Sequence, residues 1–139
     1  MVRIKKINVL SLFDGIRTGR VVLERLGIEV DNYFSSEVHY DSIKIADKNY
    51  PEDAKNKLGD VRFIGCSQLP KIDLLIGGGP CQGFSIAGKR KGSSTLEGVD
   101  VTSLEQYLEL KKEGFEFNGQ SYLFWEYVRI LKELKPKVS

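Results

Sequence analysis

Histidine and cysteine are nearly missing from this chain. Its 139 residues include one histidine, His39, and two cysteines, Cys66 and Cys81. The cysteines lie in no metal-ligand spacing, and a zinc site would have to be filled out with carboxylates, so no metal is expected. A thiol enzyme that needs an imidazole base has only His39 to draw on. No apolar run approaches the ~20 residues of a membrane span, so no membrane partner is expected. No large charge imbalance exists either: the net charge is +2, too small to argue for nucleic-acid binding by itself. Few cysteines and no signal peptide point to a reducing compartment with free thiols. What remains is ordinary for a folded protein, 41% hydrophobic and 29% charged, which suits one domain with a real core. No internal repeat, low-complexity tract or linker interrupts it.

Against this plain background one stretch stands out: Ile72-Asp73-Leu74-Leu75-Ile76-Gly77-Gly78-Gly79-Pro80-Cys81-Gln82-Gly83-Phe84-Ser85. Asp73–Ile76 reads as a strand buried on both faces, because its apolar residues do not alternate with polar ones. The glycines allow a sharp turn and a close approach at the strand's end, and Pro80 stiffens the turn that presents Cys81. In an open α/β sheet, ligands and chemistry sit at the carboxyl ends of strands. Most buried cysteines are inert packing residues, but these surroundings make Cys81 a candidate nucleophile.

The rest of the chain reads as alternating strands and helices. Ile4–Leu12 is a strand that runs into the glycine turn Asp14-Gly15-Ile16-Arg17-Thr18-Gly19. A helix follows over about Thr18–Leu26, with Val22 and Leu26 on one stripe and Gly27 closing it. A strand, a glycine turn and a helix start in this order suit the polar end of a nucleotide-like ligand. They equally suit an ordinary turn with Asp14 as helix cap. Val30–Ser35 is the second strand, and Glu37 follows 23 positions after Asp14. An acidic residue about 20 positions on is where a Rossmann-like fold grips ribose hydroxyls; the alternative is a solvated loop carboxylate. His39 reads as a loop residue. Asp41–Tyr50 is a helix with Asp41 as cap and Ile43, Ala46 and Tyr50 on one stripe. A short strand near Lys57-Leu58 ends at Gly59-Asp60-Val61. Arg62–Lys71 is a connector in which no helix is placed, and Cys66 within it is structural.

Beyond Cys81 lies the basic run Lys89-Arg90-Lys91, either a solvated loop or a phosphate grip. Ser103–Lys112 is a short helix in which Ser103 and Gln106 suit a capping box. Its shared face holds Leu104, Tyr107, Leu108 and Lys111. Ser121–Leu134 is a strongly apolar helix lined by Leu123, Tyr127, Ile130, Leu131 and Leu134. Val138-Ser139 opens a fifth strand.

With these pieces in place the chain resembles the DNA (cytosine-5) methyltransferases over nearly its whole length. Phe13-Asp14-Gly15-Ile16-Arg17-Thr18-Gly19 is similar to that family's first motif and Ser36-Glu37-Val38 to its second. Gly59-Asp60-Val61 is similar to the third, Gly79-Pro80-Cys81-Gln82 to the fourth and Tyr122-Leu123-Phe124-Trp125-Glu126 to the fifth. The resemblance implies an α/β, Rossmann-like methyltransferase fold: a mostly parallel sheet with flanking helices, incomplete at the C-terminus. It implies S-adenosylmethionine as cofactor, S-adenosylhomocysteine as its product and double-stranded DNA as partner. Phe13 would stack on adenine. The turn of Asp14, Gly15, Ile16, Thr18 and Gly19 would receive the methionine end. Glu37 would bind the ribose hydroxyls with Val38 on the adenine, and Asp60 would accept from the adenine amine with Val61 beside it. Gly79, Pro80 and Leu123 would complete the cofactor contacts. Cys81 would be the nucleophile, and the loop of Gln82, Ser85, Lys89, Arg90 and Lys91 would close on DNA.

The implied chemistry explains the thiol. Carbon 5 of cytosine is a poor nucleophile until a thiolate adds at carbon 6 and pushes electron density onto it. Carbon 5 then takes the methyl group, and loss of its proton expels the sulfur. One hard step becomes easier ones. A free thiol of pKa ~8.5 is only slightly ionised at neutral pH, so it needs activation. The base must also be flipped out of the duplex, at roughly a few kcal/mol.

The resemblance also sets limits. The family's next motif, with a glutamate for the cytosine ring, would lie beyond Ser139, as would the target-recognition domain. Residues 1–139 therefore match the N-terminal part of a catalytic domain, the cofactor-binding and catalytic-cysteine portion. They are expected to be inactive alone, as a truncated piece, as one half of a split enzyme that works with a complementary C-terminal methyltransferase fragment, or as a degenerate remnant. Ser93–Gly119 is longer than in many members, and one reading is a longer DNA-facing loop. Location would be cytoplasmic in a bacterial or phage-infected cell and nuclear in a eukaryote. The alternatives are a non-catalytic cofactor-binding remnant of the same fold and a transfer-RNA cytosine methyltransferase.

Overall fold

Val9, Leu10 and Leu12 bury their side chains completely, as a central parallel strand requires. They lie in β1 (Ile7–Leu12). The computed structural model describes residues 5–80 and 94–139. In it β1 is flanked by β2 (Val30–Ser36) and β3 (Leu74–Gly77), both parallel to it, in the order β2-β1-β3. Single parallel bridges extend both edges, Lys57 beside Ser35 and Val138 beside Leu74. The sheet positions therefore run Lys57, β2, β1, β3, Val138. The order reverses beside β1, the layout of a doubly wound Rossmann-like sheet.

The chain divides into two compact units, Met1–Gly78 with Leu131–Ser139 and Gly79–Ile130. In the first, α1 (Thr18–Arg25) packs through Leu23 onto Val9 and Tyr33, with Ile7, Val30, Leu74 and Ile76 around them. Each such apolar side chain contributes about 1.5–3 kcal/mol on full burial. Gly19, one turn before Leu23, is small for a reason: a Cβ there would stand 2.6 Å from Ile76 Cδ1 and 2.8 Å from the Tyr33 hydroxyl. The expected stripe of Val22 and Leu26 is instead exposed. The glycine turns the Gly19–Leu23 face toward the sheet and that stripe away from it. α2 (Tyr40–Asn49) buries Ala46 and half-buries Ile43 and Tyr50, as its periodicity predicts. Its cap, however, is His39 and not Asp41: His39 Nδ1 accepts from Ser42 N.

Short 3-10 turns occupy Pro51–Asn56, Val61–Phe63 and Cys66–Gln68; the second overlaps the start of the Arg62–Lys71 connector, where no helix is expected, and the third lies inside it. The strand expected at Lys57-Leu58 is one bridge, closed by Leu58 N donating to Ser35 O at 2.8 Å. Gly59, with φ +73°, turns the chain away before more pairs can form. Val138 likewise pairs once, its N–H donating to Asp73 O and its carbonyl accepting from Leu75 N. In β3 only Leu75 is fully buried, with Leu74 and Ile76 half-buried, so the two-sided burial expected there is partial.

The second unit has its own core. Antiparallel bridges join Ser94 to Asp100 and Thr95 to Phe117. α3 (Leu104–Lys112) and the start of α4 (Leu123–Leu134) pack around Val101, Leu104 and Tyr107, with Leu110, Phe117, Tyr122, Trp125 and Val128 against them. Ser103 Oγ accepts from Gln106 N at 3.2 Å, while Gln106 Oε1 reaches one residue past the cap to Thr102 N at 2.9 Å. The long stretch between the fourth and fifth motifs is thus a packed substructure over its described part. Glu126 is fully buried in α4 and accepts from Tyr107 Oη at 2.6 Å, Arg129 Nε at 2.7 Å and Lys111 Nζ.

Candidate functional site

The carboxyl ends of β1 and β2 are tied by a side chain. Glu37, just past β2, accepts from Gly15 N at 2.7 Å on Oε2, and from Val38 N and His39 N at 2.9 Å on Oε1. A carboxylate offers about four acceptor positions, so one is left open to a ligand. The glycine turn takes this shape through two backbone conformations in the left-handed region, Phe13 (φ 54°) and Arg17 (φ 70°), beside Gly15 (φ 60°). Left-handed geometry at bulky residues is costly and concentrates at functional sites. A Cβ on Gly15 would meet nothing within 4 Å, so this turn borders open space.

That space is a cleft of about 280 Å³ lined by Asp14, Gly15, Arg17, Ser35, Glu37, Ile43, Ala46, Lys57 and Gly59. Ligand pockets usually run about 300–1,000 Å³, and this cleft lies just below the small end of that range. Beneath it lies a buried polar network. Asp14 is no helix cap: it is buried, accepting from Tyr33 Oη at 2.7 Å and Arg17 Nε at 3.4 Å. Burial outweighs these bonds and raises its pKa above the usual carboxylate value. Burial, the Asp14 charge and their hydrogen bond push the Tyr33 phenol far up, so it stays protonated as the donor. Arg17 also donates to Ala46 O at 3.4 Å, Tyr50 O at 3.0 Å and Asp47 Oδ1 at 3.1 Å, and Lys57 Nζ meets the other Asp47 oxygen. Desolvation raises the Asp47 pKa, but the bonds from Lys57 and Arg17 win and hold it low.

Asp60 is occupied too. Its oxygens accept from Arg62 N at 2.9 Å, Arg62 Nε at 3.0 and 3.1 Å, and Arg62 Nη2 at 2.6 Å. The same guanidinium lies 5.4 Å over the ring of Phe63, which is exposed.

The residues expected in the site fall into groups. Gly15 and Glu37 touch at the cleft, with Asp14 below. Ile16, Thr18 and Val38 are exposed near these strand ends, Phe13 is half-buried, and Val61 is buried. Gly19 is used for helix–sheet packing. Gly79, Pro80 and Leu123 are half-buried and belong to the second unit. Cys81, Gln82, Ser85, Lys89, Arg90 and Lys91 lie outside the described residues. Sequence reasoning missed Arg17, Tyr33, Asp47 and Lys57. The one available signal was an arginine inside a glycine turn. Among the described residues, no group of three or more His, Cys, Asp or Glu is placed to hold a metal. No helix there is long and apolar enough to cross a membrane.

Comparison with known proteins gives the same answer for the whole stretch. The chain is 39% identical over 108 residues to the orphan methyltransferase M.Rho11sI of Bacillus phage rho11s, covering 78% of this chain and 21% of that protein. It is 33% identical over 132 residues to the orphan methyltransferase M.SPRI of Bacillus phage SPR, covering 95% and 25%. It is 30% identical over 138 residues to the type II methyltransferase M.NgoBV of Neisseria gonorrhoeae, covering 99% and 27%. The chain thus spans about a quarter of the length of these relatives. The family model for C-5 cytosine-specific DNA methylases matches residues 7–138. With a parallel sheet, a glycine turn bonded to the acidic residue after β2, and this match, the chain belongs to the C-5 cytosine-specific DNA methylase family.

Proposed function

We propose that this chain is the methyl-donor-binding and nucleophile-bearing part of a DNA cytosine-5 methyltransferase. The observation that carries the proposal is the Gly15–Glu37 bond at the mouth of the cleft. It puts an open glycine backbone beside a carboxylate with an acceptor position to spare, which fits the ribose of S-adenosylmethionine. When bound, that cofactor supplies an electrophilic methyl group. Glu37 binds a ribose hydroxyl, and Gly15 leaves room for the chain attached to the sugar. Val38 offers exposed apolar surface to the adenine, and Ile16 offers such surface in the turn that takes the methionine end.

Cys81 is the nucleophile in this reading. Its thiolate adds to carbon 6 of a flipped cytosine and leaves again when the carbon 5 proton is removed. Lys89, Arg90 and Lys91, with Gln82 and Ser85, supply the DNA contacts of the same loop, the cations neutralising phosphates. The 139 residues hold the donor but do not turn over by themselves, since they span only a quarter of the relatives' length.

Isothermal titration of the purified chain with S-adenosylmethionine tests the first half. Binding is expected, with a loss of about tenfold or more in Glu37→Ala, about 1.4 kcal/mol. No binding by the folded wild-type chain would refute it. Transfer of labelled methyl to duplex DNA tests the second half. None is expected from the chain alone. Transfer is expected on mixing with a complementary C-terminal methyltransferase polypeptide, and none in that mixture with Cys81→Ser.

A further inference from the structure

Arg17 is 1% exposed, sits at φ 70°, and heads α1 without a side-chain cap bond of its own. Its guanidinium crosses the cleft floor. One end holds Asp14, the residue before Gly15, and the rest holds the Ala46 and Tyr50 carbonyls at the end of α2 and the Asp47 carboxylate. Four of its five guanidinium N–H groups meet protein acceptors, so its donors are spent chiefly on tying the fold together. Its side chain joins the glycine turn to the C-terminal end of α2, as Glu37 joins that turn to His39 at the α2 cap, and Asp47 passes the tie on to Lys57.

We propose that Arg17 is a positioning residue for donor binding. It fixes the Asp14–Arg17 turn against α2, and that turn presents the Gly15 N–H that orients Glu37. The inference rests on the donor site proposed above. A long side chain is needed because the acceptors lie on two separate elements, and a planar fork is needed because they lie in several directions. Lysine keeps the charge but cannot serve them all.

The test is a double-mutant cycle on S-adenosylhomocysteine affinity, with amide hydrogen exchange at Gly15 read in parallel. Arg17→Lys is expected to weaken binding about tenfold in the wild-type background and less than about twofold in Glu37→Gln. Gly15 exchange is expected to accelerate about tenfold in Arg17→Lys. Equal losses in both backgrounds, or unchanged Gly15 exchange, would overturn the proposal. A purely structural role would lower the melting temperature while leaving the two losses additive. Should Arg17→Lys not fold, Asp47→Asn removes the half-exposed partner instead, and the same coupling and exchange changes are expected in smaller size. If the wild-type chain binds no S-adenosylhomocysteine, the donor site fails, yet Gly15 exchange still decides whether Arg17 orders the turn.

Discussion

The Tyr33 hydroxyl donates to Asp14 Oδ1 at 2.7 Å and stands 2.8 Å from where a Gly19 Cβ would be. One side chain from β2 therefore supports the carboxylate under the cleft and sets the closeness of α1. Tyr33→Phe keeps the ring and removes the donor from a buried carboxylate. A loss of about 1–3 kcal/mol is expected in urea unfolding. Unchanged stability would mean that Arg17 satisfies Asp14 unaided.

Gly19 and Gly15 should fail in different ways. Gly19→Ala drives a methyl into Ile76 and Tyr33, and overpacking of this kind costs about 1–3 kcal/mol. Ile76→Val, which removes the atom nearest the clash, should recover part of it. Gly15→Ala meets no atom but must hold φ 60°. It should cost stability through backbone strain, and it should weaken donor binding, because the methyl enters the space beside Glu37. Comparing melting temperature with S-adenosylhomocysteine affinity for the two variants separates them.

Acid should act on the second unit through Glu126. Burial raises its pKa, but the bonds from Lys111, Tyr107 and Arg129 outweigh burial and leave it lowered. A lowered folded-state pKa means stability that is present above the unfolded value, 4.5, and lost as pH falls through the folded one. Asp14 has the opposite sign: its raised pKa costs stability above its unfolded value, 3.8, and protonation relieves that cost. Glu126→Gln should lose about 3 kcal/mol near neutrality, as expected for breaking a buried ion pair. It should also flatten the acid limb of a stability profile taken from about pH 7 to 3. An unchanged acid limb would assign it to other carboxylates.

Arg62 competes for Asp60. Its guanidinium and backbone N–H fill the carboxylate's acceptor positions, so a purine amine bonding to Asp60, as the family resemblance implies, would have to displace it. The pair is partly exposed, and such pairs are worth about 0–1 kcal/mol. Arg62→Ala should therefore tighten S-adenosylmethionine binding by up to about fivefold by calorimetry. Weaker binding would make Arg62 part of the site.

The parallel strands, the helices and the strand-end placement of Gly15 and Glu37 were legible before any coordinates. Runs of apolar residues, glycine turns and capping residues are local signals, and the sequence spells them directly. Two expectations failed where the local signal pointed both ways. Asp41 and His39 both offer a helix-capping acceptor, and the side chain that reached Ser42 N won. Val22 and Leu26 have the right spacing for a core stripe, but Gly19 let the other face approach the sheet.

By itself, then, the amino-acid order determined the family, the alternation of strand and helix, and which carboxylates stand near the ends of strands. Only the tertiary structure decided what two of those carboxylates do: Asp14 lies beneath Tyr33, 19 positions on, and Glu37 holds Gly15 across 22 positions. The reason is range. Period and capping act within a few residues, whereas the partners of a buried charge come from wherever folding brings them. Their identity follows from the cost of leaving that charge unsatisfied.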